Sequence, residues 1–255
     1  MKNRLRLFIV ILLLFIFMSS CSDQKKYSYI NVTDERGISE LKELLSNAEV
    51  PSDDIDTLIG YVTKYSNGTY ASSISQDDWK MVSITKPQYD YTSAINAFTS
   101  NPFNDLNCRQ AVFLIYHSFY TTSSAEDNAE KDEYKEISHI LDNEGSKYSS
   151  LFPDLPLKSS VKDSVLNYWK DKNAIFSGGD VHLVSMWGEM EGNIEILHCG
   201  ILIHENNDII FFEKTDPMLP YQLSKFNSAN DLKKYLLNRT DKFNDMTVFV
   251  DNEAL

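Results

Sequence analysis

NIEILHCGILIHE, residues 193–205, is followed after only Asn206-Asn207 by DIIFFEKT, residues 208–215. Both stretches are rich in β-branched and aromatic residues, and an Asn-Asn pair tolerates the positive φ angles of a two-residue hairpin turn. Together they predict an antiparallel hairpin. VHLVSMWGEM, residues 181–190, predicts a strand before it, and a short helix over 230–237 and a strand over 246–250 are expected after it. With a two-residue turn at 206–207 the paired positions add to 413, so Gly200 faces Glu213 and His198 faces Thr215. Alternation then puts Ile196, His198, Gly200, Leu202 and His204 on one face, with Glu213 on that same face, diagonal to His198. A register slip of one residue would move the assignment to the other face.

Before residue 180 the apolar period is helical. Ile38, Leu41, Leu44 and Leu45 share a face, and Ile55, Leu58, Ile59 and Val62 line up in a second helix that Ser52 is expected to cap. Further helices are expected over 91–98, 126–141 and 160–172, with Pro153 and Pro156 in a surface connection. Helices first and an antiparallel sheet after is an α+β order.

One helix stands apart. In NPFNDLNCRQAVFLIYHSFY, residues 101–120, a turn-rich approach runs directly into an apolar helix, which puts Cys108 in its first turn. A thiol there feels the positive end of the helix dipole, and both dipole and unpaired N–H groups favour thiolate. The same N–H groups can hold an oxyanion once a carbonyl is attacked. Among five histidines, His198 is the best base because a strand backbone can aim its ring; His117 and His139 fall on helices, His182 begins a strand and His204 ends one. Glu213 is the carboxylate that can orient it, with Asp216 in reserve. Two plainer roles exist for Cys108, a buried small hydrophobe or half of a disulfide to Cys199. Cys199 is expected on the face opposite His198. A metal site of Cys108, His198 and Cys199 lacks a fourth ligand, so no metal or other cofactor is expected.

The N-terminus carries a different message. Lys2, Arg4 and Arg6 precede an apolar run over 7–18, then Ser19, Ser20 and Cys21, which is the order of a secretory signal. The run is shorter than the roughly 20 residues of a permanent membrane span, and Met18-Ser19-Ser20-Cys21 resembles a lipobox. The expected organisation is a signal over 1–20, a tether over 21–36 starting at a lipidated Cys21, and one domain over 37–255. Removing the signal takes the formal charge from −13 to −16, because three basic residues leave with it. Such an acidic chain is a poor nucleic-acid partner and gains nothing from anionic headgroups, so the acyl group at Cys21 is the expected membrane contact. A monomer on the extracytoplasmic face of the cell membrane is expected.

A cysteine opening a helix, then the strand beginning at His198-Cys199-Gly200, then a strand with a polar residue, resembles the papain-like cysteine hydrolases, especially the NlpC-type peptidoglycan peptidases. Asn107-Cys108-Arg109, His198-Cys199-Gly200, Phe212-Glu213-Lys214 and Pro220-Tyr221-Gln222 more closely resemble a family of bacterial lipoproteins known only as a domain of unknown function. The resemblance implies a papain-like α+β fold with Cys108 as nucleophile, His198 as general base and Glu213 as orienter. It further implies an extracytoplasmic thiol hydrolase or amidase acting on cell-wall or other peptides. The chain lacks the Asp-Cys-Ser/Gly signature of the NlpC group; Asn104 or Asn107 would stand in for papain's upstream glutamine, and Arg109 is a candidate for binding a substrate carboxylate. The alternative expectation is a binding lipoprotein on the same scaffold without turnover, and acyl transfer would use the same residues.

Overall fold

The computed structural model describes residues 26–67, 78–84, 92, 96, 105–123, 135, 144–205, 208–216, 218–239, 243 and 245–255. Cys21, Asn104, His139 and nearly all of the helices expected over 91–98 and 126–141 lie outside the described residues.

The antiparallel core of the sheet follows the expected hairpin. Strands β6 (Val181–Met190), β7 (Asn193–Glu205) and β8 (Asp208–Lys214) pair in sequence order, and β7 meets β8 at Gly200↔Glu213 through Glu205↔Asp208. Every one of these pairs has the predicted register. β9 (Tyr221–Phe226) pairs with β8, β1 (Lys26–Asn31) with β9, and β2 (Lys80–Ser83) with β1. On the other side β10 (Thr247–Val250) pairs with β6, and β11 (Glu253–Ala254) closes that edge. The short strands β3 (Tyr120–Thr121) and β5 (Ile175–Phe176) form a separate ribbon.

Among the described residues six helices flank this sheet unequally: α1 (Glu35–Asn47), α2 (Ser52–Ser66), α3 (Cys108–Tyr116), α4 (Gly145–Leu151), α5 (Val161–Asp171) and α6 (Ala229–Leu237). Asp34, Ser160 and Ser228 cap α1, α5 and α6 through their side chains, as short polar N-caps do. One core cluster joins α1 to α5 to the sheet through Ile30, Leu183, Trp187, Ile201, Ile203, Phe212 and Leu223. A second, smaller cluster packs Leu232, Tyr235 and Leu236 of α6 against Tyr27, Tyr29, Val184, Leu202 and Phe211 on the opposite face. The fold is therefore α+β with helices on both faces. Helix α3 is buried from Gln110 to Tyr116 without interruption, as expected of a helix that is apolar all round.

Four details differ from the sequence reading. The expected tether over 21–36 is shorter, because Lys26–Asn31 form β1 inside the sheet and Asp34 already caps α1. Tyr27 and Tyr29 enter the smaller cluster while Ile30 and Val32 enter the larger one, an alternation present in the sequence but masked by its polar neighbours. The Pro153–Pro156 connection is not wholly superficial: β4 (Leu155–Pro156) pairs with the start of β7 and Leu155 is buried. Helix α2 begins at Ser52, with Pro51 in the cap position. Finally, Ile196 lies in the larger cluster, with Cys199 and Ile201, and does not share the face of Leu202. The cause is a register shift in the β6–β7 ladder, where Met186 pairs with His198 and Trp187 with Ile196, leaving Leu197 extra.

Gly200 is needed beside the site. A Cβ there would come within 2.3 Å of the Phe211 ring and 2.5 Å of the Phe212 carbonyl oxygen. Gly200→Ala is expected to destabilise the fold by about 1–3 kcal/mol, the usual range for overpacking, read as a lower urea midpoint with an unchanged denaturant slope.

Candidate functional site

The start of α3 is held by a reciprocal cap. The Asn107 side chain accepts from the Gln110 backbone N–H at 2.9 Å, and the Gln110 side-chain oxygen accepts from the Asn107 N–H at 2.8 Å. This fixes Cys108 at the first helical position, where its own N–H has no intrahelical acceptor. The oxygen of Asn107, a candidate for oxyanion contact on sequence grounds, is committed to the cap.

Cys108 is half-buried and His198 is buried, and the thiol is in hydrogen-bond contact with the His198 imidazole and with the Cys199 thiol. On the far side of the ring, His198 Nε2 meets Glu213 Oε2 at 2.7 Å. Because Nε2 is taken by the carboxylate, Nδ1 is the ring nitrogen left for sulfur. The β7–β8 ladder ends at Gly200↔Glu213, so His198 lies two residues beyond the last pair. On sequence grounds Glu213 is the expected partner of the imidazole and Asp216 the reserve. The partner is Glu213; the Asp216 side chain instead accepts from the Met218 N–H at 2.9 Å.

Glu213 is fully buried, and its carboxylate is saturated with donors. Besides His198, it accepts from Arg239 Nη1 at 2.6 Å, from the Tyr235 hydroxyl, and from Gln222 Nε2 at 3.3 Å. Gln222 is directly opposite Glu213 in the β8–β9 ladder. Tyr235 and Arg239 lie one helical turn apart at and just beyond the end of α6, with the guanidinium 5.0 Å from the Tyr235 ring centre.

These contacts set the protonation states. Burial would raise the Glu213 pKa, but the Arg239 charge and the His198 and Tyr235 contacts overcome it and bring the value down to about 2. Burial opposes a charge on His198 too, yet its hydrogen bonds to Cys108 and Glu213 and their negative charges raise its pKa to about 9. The Cys108 thiol is held well below the ordinary thiol value, chiefly by the Cys199 hydrogen bond; burial works against this, while the His198 hydrogen bond and the charges of His198 and Arg109 add to it. Both shifts favour the thiolate–imidazolium form of the pair, the form suited to nucleophilic attack followed by proton donation. Arg109 thus contributes to the potential around Cys108.

The chain belongs to the DUF4300 family. That family, described as a domain of unknown function, matches residues 28–255. No curated protein and no solved structure matches the chain.

A second buried charge supports the site of the DUF4300 domain from the opposite face of β8. Lys214 and Asp105 are both fully buried at their side chains and form an ion pair. Lys214 Nζ also donates to the Leu219 carbonyl at 2.7 Å and is 4.1 and 4.3 Å from the ring centres of Tyr65 and Tyr221. Tyr221 donates to the other Asp105 oxygen at 2.6 Å, and Tyr65 to the Met218 carbonyl at 3.0 Å. Asp105 precedes Cys108 by three residues, so this cluster pins the approach to the start of α3. Asp105, Lys214, Gln222, Tyr235 and Arg239 have no role that the sequence alone assigns. The Glu213–Gln222 pairing depends on a six-residue connection whose register the sequence does not set, whereas the Tyr235–Arg239 spacing of four was visible.

The remaining described histidines serve elsewhere. His117 Nε2 meets Asp54 at 3.0 Å, joining the end of α3 to the start of α2; His182 Nδ1 meets Asp251 at 2.7 Å, and the exposed His204 ring lies edge-on to that of His182 with centres 5.4 Å apart. Cys199 packs in the larger core cluster, and the two described thiols are unbridged. Among the described residues no group of three or more metal-ligating side chains converges.

Two outcomes test the charge network. Asp105→Asn, which leaves Lys214 buried without its carboxylate, is expected to cost about 3–5 kcal/mol in chemical denaturation, with part of the loss recovered in Asp105→Asn/Lys214→Met. Glu213 has a folded pKa below the ordinary 4.5, so its contribution is complete above that value and is lost as pH falls from 4.5 towards about 2. Across that window the stability of wild type should fall more steeply than that of Glu213→Gln.

Proposed function

We propose that this DUF4300 protein is a membrane-anchored extracytoplasmic thiol hydrolase or amidase that uses Cys108, His198 and Glu213 on amide bonds of cell-wall or other peptides. The observation that carries the reading is the unbroken contact from thiol to imidazole to buried carboxylate at the start of a buried helix. A relationship to papain-like hydrolases is supported by the same arrangement: a helix-borne cysteine packed on an antiparallel sheet whose adjacent strands supply the base and the acid.

In this mechanism the Cys108 thiolate attacks the amide carbonyl carbon, and the developing oxyanion is met by the Cys108 backbone N–H at the helix start. The His198 imidazolium passes its proton to the leaving amine, giving a thioester on Cys108. Neutral His198 then takes a proton from water, which attacks the thioester and frees the acid. Glu213 holds the imidazole in the required orientation throughout. The Cys21 acyl group tethers the domain on the outer face, a reading supported by the basic, apolar and small-residue order of residues 2–21. No helix among the described residues is long and apolar enough to cross a membrane.

Iodoacetamide kinetics against pH test the reading. Wild-type Cys108 should alkylate readily at about pH 6, and His198→Ala should move the ionisation towards the ordinary thiol range with at least about a tenfold loss of rate there. An acetyl group from p-nitrophenyl acetate should be trapped on Cys108 in wild type and be absent from Cys108→Ala. A Cys108 that is unreactive at neutral pH and never acylated would overturn the assignment.

A further inference from the structure

Cys199 makes and breaks no bond in the hydrolytic steps, yet it lies in the core cluster against which Cys108 packs and its thiol is in hydrogen-bond contact with the Cys108 sulfur. It reaches there from β7, one residue after His198, on the face of the sheet that packs against α3. Its side chain is buried while Cys108 is half-buried, so a small soluble oxidant meets Cys108 first. Both residues belong to elements fixed from several sides: α3 by its capping box, and β7 by pairing to β6 and β8. Two cysteines so arranged, one accessible and acidic and the other sheltered against it, form the pattern of an oxidant-sensitive thiol with a resolving partner.

We propose that Cys108 and Cys199 are a reversible oxidation site in which Cys199 resolves oxidised Cys108 as an intramolecular disulfide. The oxidant is a peroxide. The Cys108 thiolate attacks one peroxide oxygen and breaks the O–O bond, giving the sulfenic acid and hydroxide. The Cys199 sulfur then attacks the Cys108 sulfur, breaking its S–O bond; the Cys199 proton and the departing hydroxyl leave as water. Two thiols lose two electrons and peroxide gains them. A small dithiol reverses the bridge by exchange. While it stands, Cys108 has no free sulfur for attack and the positioned imidazole has no nucleophile to pair with. The bridge also diverts Cys108 from irreversible sulfinic acid.

This inference rests on the nucleophilic Cys108 of the proposed function, but needs no peptide substrate. The test uses the full chain with Cys21→Ser, which leaves Cys108 and Cys199 as its only cysteines. The reduced protein is treated with equimolar hydrogen peroxide, alkylated in denaturant and weighed intact, then digested. The expected product is lighter by two hydrogens, resists alkylation at both positions, contains a Cys108–Cys199 crosslinked peptide and recovers full iodoacetamide reactivity with dithiothreitol. Cys199→Ser and Cys199→Ala, with folding checked by circular dichroism, should instead gain one oxygen on Cys108 without a crosslink and, in excess peroxide, a second oxygen that dithiothreitol does not reverse. Oxygen adducts on Cys108 of the parent with Cys199 still alkylated would overturn the inference, as would two thiols untouched by peroxide. Alkylation of the reduced parent at neutral pH reads the nucleophile separately, so a reactive Cys108 without a bridge defeats this inference alone, while an unreactive one defeats the proposed function as well.

Discussion

Burying an ionised carboxylate in the middle of a β-sheet is among the most costly placements a chain can make, and Glu213 is fully buried there. Its four donors come from three different elements: His198 from β7, Gln222 from β9, and Tyr235 and Arg239 from the end of α6. Take away any one and a buried charge is left under-compensated, so strand order, the docking of α6 and the orientation of the imidazole are specified together. The same donors keep Glu213 ionised, and an ionised Glu213 is one of the groups that keep a proton on His198. The protonation state of the site is thus a consequence of how the sheet closes on α6.

The neighbouring residue repeats the device on the other face. Strand alternation sends Lys214 away from Glu213, towards α2 and the loop before α3, where Asp105, Tyr65 and Tyr221 receive it. Two consecutive residues at the end of β8 therefore serve both halves of the site. One aims the imidazole from the α6 side, and the other anchors the approach to Cys108 from the α3 side. Because both charges are buried and each depends on its own partners, the end of β8 cannot shift without breaking one set or the other. Burying such pairs adds little net stability compared with apolar packing, and what they supply here is relative position.

The contact between Cys108 and the sheet has a local cause as well. Pairing between β7 and β8 stops at Gly200↔Glu213, and β7 carries an extra residue, Leu197, against β6. Both irregularities flank His198. The imidazole between them is met by the thiol held at the start of α3, with Cys199 beside it in the larger core cluster.

Much of this was legible in one dimension because it depends on short-range rules. A two-residue Asn-Asn turn sets a hairpin register arithmetically, and that register alone places Glu213 diagonal to His198 and Cys199 opposite it. The helix start at Cys108 follows from a turn-rich approach into an apolar run. What lies beyond those rules was decided by packing between segments far apart in the chain. β1 joins the sheet because Tyr27, Tyr29 and Ile30 find apolar surfaces contributed by residues some two hundred positions later, so the expected tether shortened. Ile196 changed face because a bulge is a property of two strands together. The choice of Glu213 over Asp216, the donors around it, the Asp105–Lys214 pair and the meeting of Cys108 with both His198 and Cys199 all rest on such long-range contacts. The sequence by itself determined the residue types and the local register of the site. Only the tertiary structure decided which of them touch, because burial, and with it the energetic demand for a partner, exists only once the sheet and helices have closed.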